Sequence, residues 1–296
     1  MEDSFEHISS VYAADIDGDG HIDVVGNDFY NHKVAWWENV GTGAAWILHM
    51  VDSGFYSASS VYAADVDGDG DTDVLGSAFD INDIAWWENT DGTGTVWTKH
   101  TVEDSFTGAN SVYAADIDDD GDMDVLGAAS NQGDITWWEN TDGTGTAWTE
   151  HTVDDSFTGA WSALAADIDG DGDGDVIGIS YSQDDVAWWE NTDGTGTAWT
   201  VHTLNDNYNG ATSVCVTDVD GDGDTDVLGA SCGSVSGPIK WWDIVDYRAS
   251  GTLESSILDA GTVESWEFFA SNKQEPAGTS LGFQFRISSD SAIMGA

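Results

Sequence analysis

Basic residues are almost missing from this chain: six Lys and Arg stand against 56 Asp and Glu, a formal net charge of −50 over 296 residues. A surface of that sign repels phosphate backbones and anionic headgroups, so the reading expects no nucleic-acid partner. No run is long and apolar enough to cross a bilayer as a helix, and no membrane insertion is expected. Proline occurs only twice, which leaves strand segments free to pair. Cysteine also occurs only twice, too few for a disulfide framework. Cys215 and Cys232 fall in one stretch, and a local bridge or two small buried thiols are both open readings. Helical periodicity is absent over any two turns. The acidic start, MEDSFEH, lacks the basic and apolar regions of a signal peptide.

What is present is repetition. SVYAADIDGDG returns as SVYAADVDGDG, SVYAADIDDDG, SALAADIDGDG and SVCVTDVDGDG. The first Asp of each, Asp15, Asp65, Asp116, Asp167 and Asp218, recurs at steps of 50, 51, 51 and 51 residues. Tryptophan pairs keep the same phase: Trp36-Trp37, Trp86-Trp87, Trp137-Trp138, Trp188-Trp189 and Trp241-Trp242. So do Trp46, Trp97, Trp148 and Trp199, each followed three residues later by His49, His100, His151 or His202.

Within one unit the segments NSVYAA, DVLGAA, ITWWEN and TAWTEHTV are rich in β-branched and aromatic residues and separated by Gly, Asp and Asn turns. Four short antiparallel strands per repeat of this length predict an all-β propeller of four-stranded blades, five of them visible. Adjacent strand residues point to opposite faces. One tryptophan of each pair is therefore expected to fill each interface between blades. The repeated histidines, at a fixed place on the outer strand, read as structural.

Each repeat carries the loop D-x-D-x-D-G-x-x-D. The candidate metal ligands are Asp15, Asp17, Asp19, His21 and Asp23; Asp65, Asp67, Asp69, Asp71 and Asp73; Asp116, Asp118, Asp120, Asp122 and Asp124; Asp167, Asp169, Asp171, Asp173 and Asp175; and Asp218, Asp220, Asp222, Asp224 and Asp226. The seventh residue of each set would offer its backbone carbonyl. Carboxylates at alternate positions, with Gly20, Gly70, Gly121, Gly172 or Gly223 at the sixth, suit a hard cation that takes six to eight oxygens in flexible geometry. Calcium fits better than magnesium, and about five ions, one per repeat, are expected. Without a cation the carboxylates repel one another. An EF-hand needs Glu at position twelve and flanking helices, whereas here position twelve is Gly26, Gly76, Gly127, Gly178 or Gly229 between strands.

Strand, DxDxDGxxD loop, then D-V/L-hydrophobic-G strand resembles the FG-GAP/VCBS repeat, the blade of integrin α-subunit heads and of many secreted bacterial proteins. The resemblance covers roughly residues 9–245. It implies calcium at the aspartates above, an extracellular or cell-surface location, and adhesion or scaffolding toward a protein or carbohydrate ligand at the cell surface or in the extracellular matrix. The family's propellers often have seven blades and this sequence shows five loops. Gly174 stands where other repeats carry Ile22, Thr72, Met123 or Thr225, which is expected to loosen the fourth loop.

Residues 1–246 are assigned to the propeller. Residues 247–296, with no loop and no Trp pair, are read as the start of a second β module through LESSILDAG, SWEFFAS and TSLGFQFRISSD. Met1–Phe5 aligns with Val102–Phe106, so the chain is expected to start inside an outer strand of a longer protein, with a closed five-bladed ring as the alternative. No nucleophile–base pairing is legible, and the reading is non-enzymatic. A lectin-like or catalytic propeller of a polysaccharide-active lyase or hydrolase is the alternative.

Overall fold

The structure, a computed structural model, describes residues 5–232 and 239–244. The chain divides into two compact units, Met1–Ala249 and Ser250–Ala296, and the described residues belong to the first. The second β module expected over 247–296 lies outside the described residues.

The first blade is β1 (Val11–Ala14), β2 (Asp23–Asp28), β3 (Lys33–Asn39) and β4 (Trp46–Asp52). The second is β5 (Ala58–Ala64), β6 (Asp73–Ala78), β7 (Asp83–Asn89) and β8 (Trp97–Glu103). The third is β9 (Ala109–Ala115), β10 (Asp124–Ala129), β11 (Asp134–Asn140) and β12 (Trp148–Asp154). The fourth is β13 (Ala160–Ala166), β14 (Asp175–Ser180), β15 (Val186–Asn191) and β16 (Trp199–Asn205). The fifth is β17 (Ala211–Thr217), β18 (Asp226–Ser231) and β19 (Ile239–Trp242). Each blade is an antiparallel meander in sequence order, and no helix occurs among the described residues.

The first strands of successive blades neighbour one another, β1 with β5, β5 with β9, β9 with β13 and β13 with β17, so they line the axis. Tyr12, Tyr62 and Tyr113 stack there in a column, with centroids 4.2 and 4.5 Å apart. The propeller is as expected, but the fifth sheet has three strands rather than four among the described residues.

Second strands such as DVLGSA are buried at every position because each blade is covered on both faces. The Trp pairs divide as their alternation requires. Trp36 of the first blade and Trp87 of the second share one core with Phe55, Val61 and Val74. Trp86 and Trp138 share the next, Trp137 and Trp189 the third. A glycine at the centre of each second strand makes room for the tryptophan. A Cβ on Gly76 would lie 2.9 Å from the Trp87 ring, and one on Gly127 2.9 Å from Trp138.

The remaining expectations divide. Cys215 and Cys232 are free and exposed, which overturns both the local bridge and the buried thiols. They stand in different strand neighbourhoods: Cys215 pairs with Leu228, and the Cys232 N–H bonds Gly210. The outer-strand histidines do take a structural place, each stacked on the first Trp of its blade with centroids 4.3–4.5 Å apart.

Candidate metal centre

The D-x-D-x-D-G loops join the first strand of each blade to the second, at one end of the propeller. Their curl has two hinges. The sixth position is glycine with φ of +87° to +104°, as its sequence position predicts. The fourth position is left-handed as well: Gly18, Gly68, Gly170 and Gly221 have φ of +71° to +80°, and Asp119 takes φ +60° in the third loop. The turn is fastened from within. The N–H of Gly70 donates to Asp65 Oδ2 at 3.0 Å, and that of Gly121 to Asp116 Oδ2 at 3.0 Å.

In every blade three carboxylates converge, with ligand oxygens within 4.8 Å of one another. In blades two to five they are the first, third and ninth loop residues: Asp65, Asp67 and Asp73; Asp116, Asp118 and Asp124; Asp167, Asp169 and Asp175; Asp218, Asp220 and Asp226. In the first blade they are Asp15, Asp17 and Asp19.

The ninth carboxylate is buried and held on both oxygens. Asp73 Oδ2 accepts the Val66 N–H at 2.9 Å and Oδ1 the Asn89 N–H at 2.8 Å. Asp23, Asp124 and Asp175 repeat the pattern. Burial pushes Asp73, Asp124 and Asp175 up to about 7, against those backbone bonds. Burial also raises Asp67 and Asp118, and Asp169 reaches about 6, with neighbouring carboxylates adding to each.

The remaining loop residues also make bonds within the turn. The fifth-position carboxylates accept the N–H two residues on: Asp69 from Asp71 at 2.9 Å, Asp120 from Asp122 at 2.9 Å, Asp171 from Asp173 at 3.0 Å and Asp222 from Asp224 at 3.1 Å. At the seventh position the side chains of Asp71, Asp122 and Asp173 lie against Gly92, Gly143 and Gly194 of their own blades. His21 instead pairs with Asp19 at 2.8 Å.

The donor set fits a hard cation. It is all carboxylate oxygen, it sits where charge is costly without a counter-ion, and Asp15 Oδ1 and Asp65 Oδ1 are buried without a hydrogen-bond partner. Glycine at position 174 is required neither by backbone angle nor by space. Its φ is ordinary, and a Cβ there would meet Asp116 O at 3.4 Å and Ile117 Cα at 3.7 Å, normal contact distances.

The repeat model described as "FG-GAP-like repeat" matches residues 15–76, 65–127, 118–178 and 167–229. The chain belongs to the FG-GAP-like repeat family. No curated protein matches it. Among solved structures it is similar to a chain of "Crystal structure of BBS1N in complex with ARL6DN, soaked with lead". The identity is 12% and the TM-score 0.48, with 76% of this chain covered and 66%, just under two thirds, of that one.

The FG-GAP loops of neighbouring blades are tied together by a residue the sequence reading passed over. In blades two to four the asparagine closing the W-W-E-N segment donates through Nδ2 to the loop of the preceding blade: Asn89 to Ile16 O at 2.9 Å, Asn140 to Val66 O at 2.9 Å, Asn191 to Ile117 O at 3.1 Å. Its Oδ1 accepts the N–H of Gly94, Gly145 or Gly196. The signal was present: asparagine is a poor strand former, yet it ends every one of these strands. The same glycines present carbonyls to two indoles. Gly94 O accepts from Trp36 of the preceding blade and Trp97 of its own, both at 3.0 Å. Gly145 and Gly196 repeat this with Trp86 and Trp148, and with Trp137 and Trp199.

Proposed function

We propose that this chain is a calcium-rigidified extracellular module, non-enzymatic, that holds a protein or glycan ligand at a cell surface or in the extracellular matrix. The observation that carries the calcium part is the fivefold convergence of three carboxylates with oxygens within 4.8 Å of one another. FG-GAP-like membership supports the extracellular setting.

In blades two to five the ion would sit between the first and third loop carboxylates and the buried ninth, whose oxygens also anchor the loop and the end of the third strand; in the first blade Asp15, Asp17 and Asp19 would hold it. Loading the site would therefore steady the backbone of the asparagine whose side chain fastens one blade to the next. When bound, calcium supplies positive charge and nothing more.

The non-enzymatic reading is supported by what the off-repeat histidines do. His32 Nδ1 accepts the Ser57 N–H at 3.0 Å and stacks on Tyr56. His7 packs edge-on to Tyr30, and His21 pairs with Asp19.

The test is a thermal melt in EDTA, in millimolar calcium, and in magnesium at equal ionic strength. At free calcium about 100 times the dissociation constant, each site adds about 2.7 kcal/mol of stability. A large calcium-specific rise in melting temperature is expected. Equal melts in all three would sink the calcium reading.

A further inference from the structure

The opposite end of the propeller from the loops carries the least regular side chains. There the first strands begin, and in blades two to five each has a bulge after its first residue, at Ser59, Asn110, Trp161 and Thr212. A bulge leaves its extra residue unpaired and re-aims its side chain. In blade four that residue is Trp161, where the other blades carry Ser9, Ser59, Asn110 and Thr212. Tyr181 ends the facing hairpin where the others have Phe29, Phe79, Ser130 and Cys232. The two rings meet at 5.3 Å between centroids, tilted by 38°, and remain 37% and 44% exposed.

They form one wall of an open cavity of about 460 Å³, within the range of small-ligand sites. Phe29 and Phe79 contribute the other aromatic surface, and Asn110, Asn131, four serines and Gly159 complete the lining. None of these 11 residues is charged, in a chain where 21% of residues are.

We infer that this axial mouth binds a neutral saccharide, stacked on Trp161 and Tyr181. Each alternative fails on chemistry. An anionic ligand would enter the field of a chain of net charge −50 with no cation in the lining. A cationic peptide would find no carboxylate in it. Ser9, Ser59 and Asn110 donate to backbone carbonyls, but a purely apolar ligand would desolvate the Ser130 and Ser182 hydroxyls and the Asn131 amide without replacing their hydrogen bonds to water. A neutral sugar ring has apolar C–H faces for the aromatic wall and hydroxyls for the Ser and Asn side chains.

The proposal deepens the adhesion reading, resting on it only for the existence of a ligand. It does not depend on the metal loops. The seven-residue strand β5 (Ala58–Ala64) separates the two ends by roughly 20 Å at 3.3 Å per residue.

The test uses the whole chain in millimolar calcium, with folding verified by its melt. An array of neutral gluco-, galacto- and manno-configured saccharides is screened, from monosaccharides to oligosaccharides, with polyuronates as the anionic arm. Binding of at least one neutral saccharide is expected. Trp161→Ala should weaken it by about tenfold or more, and Tyr181→Ala should weaken it too. Trp161→Tyr should retain most affinity, and no variant should move the melting temperature appreciably. The proposal is overturned if the folded protein binds no neutral saccharide, if it prefers polyuronates, or if Trp161→Ala binds as wild type does. In those cases a calcium-dependent melt would still leave the scaffold reading standing, with a protein as its ligand.

Discussion

The two ends of the propeller obey different rules. At the loop end the same residues recur blade after blade: Asp73, Asp124 and Asp175 are held by the same backbone groups, and Asn89, Asn140 and Asn191 clamp the same carbonyl of the preceding blade. At the axial mouth the equivalent positions read Ser, Ser, Asn, Trp and Thr. The difference separates stability from recognition. A blade-to-blade fastening works only if every blade carries it, since each repeat is stabilised by its neighbours. A ligand is asymmetric and needs different groups around one opening. The loop end should therefore respond to metal, pH and core substitutions, and the mouth to none of them.

The largest effect is expected on the metal-free protein as pH changes. The folded chain holds Asp73, Asp124 and Asp175 near 7 against an ordinary value of 3.8, because burial disfavours their charge. The folded state therefore binds more protons than the unfolded chain between those limits. That stabilisation is complete below about 3.8 and is lost as pH rises through about 7. In EDTA the melting temperature should fall from pH 5 to pH 8, and Asp124→Asn should flatten the slope. Saturating calcium should abolish or reverse it, since a bound cation favours the charged form. A level or rising profile in EDTA would break the account of the loop end.

Next in size is the interface core. Trp137 is fully buried between blades three and four, with its indole bonded to Gly196 O at 3.1 Å. Trp137→Ala should cost about 3–5 kcal/mol in denaturant unfolding, whereas Trp161→Ala at the mouth should stay within about 0.5 kcal/mol. Comparable losses from the two would erase the distinction between the ends.

The asparagine clamp comes third. Asn140→Ala removes three side-chain bonds and leaves the Val66 carbonyl and the Gly145 N–H without them in a buried place, a loss of about 1–3 kcal/mol. Asn131→Ala, exposed at the mouth, should leave unfolding unchanged. The smallest effect has the opposite sign. Asp119 holds φ +60° where four other loops have glycine, and left-handed backbone costs a non-glycine residue about 1–2 kcal/mol. Asp119→Gly should stabilise the calcium-loaded protein by up to about 1 kcal/mol, less the entropy glycine restores to the unfolded chain, read as a shift in denaturant midpoint.

Much of this was legible without coordinates. The period, the four strands per unit, the divided Trp pair and the acidic loops all follow from local pattern. So does the turn glycine at loop position six, because alternation and φ are properties of a few adjacent residues. The loop ligands were legible only as a set. The motif does not distinguish the fifth carboxylate, which in blades two to five closes the turn backbone, from the ninth, which is carried into the cluster by the start of the second strand. Cys215 and Cys232 failed for a related reason: proximity along the chain says nothing about which way two strands carry them.

The amino-acid order by itself determined the blade: its strands, its turns, and the side chains that must face outward to be covered. What covers them was decided by the stacking of blades. Asn140 and Val66 are 74 residues apart and Trp137 and Gly196 are 59 apart, so neither bond exists until two blades are face to face. Trp161 and Tyr181 form one wall with Phe29 and Phe79 only because the strands that carry them are arranged around a common axis. Local chemistry sets each repeat, and only the arrangement of repeats brings different residues to one opening.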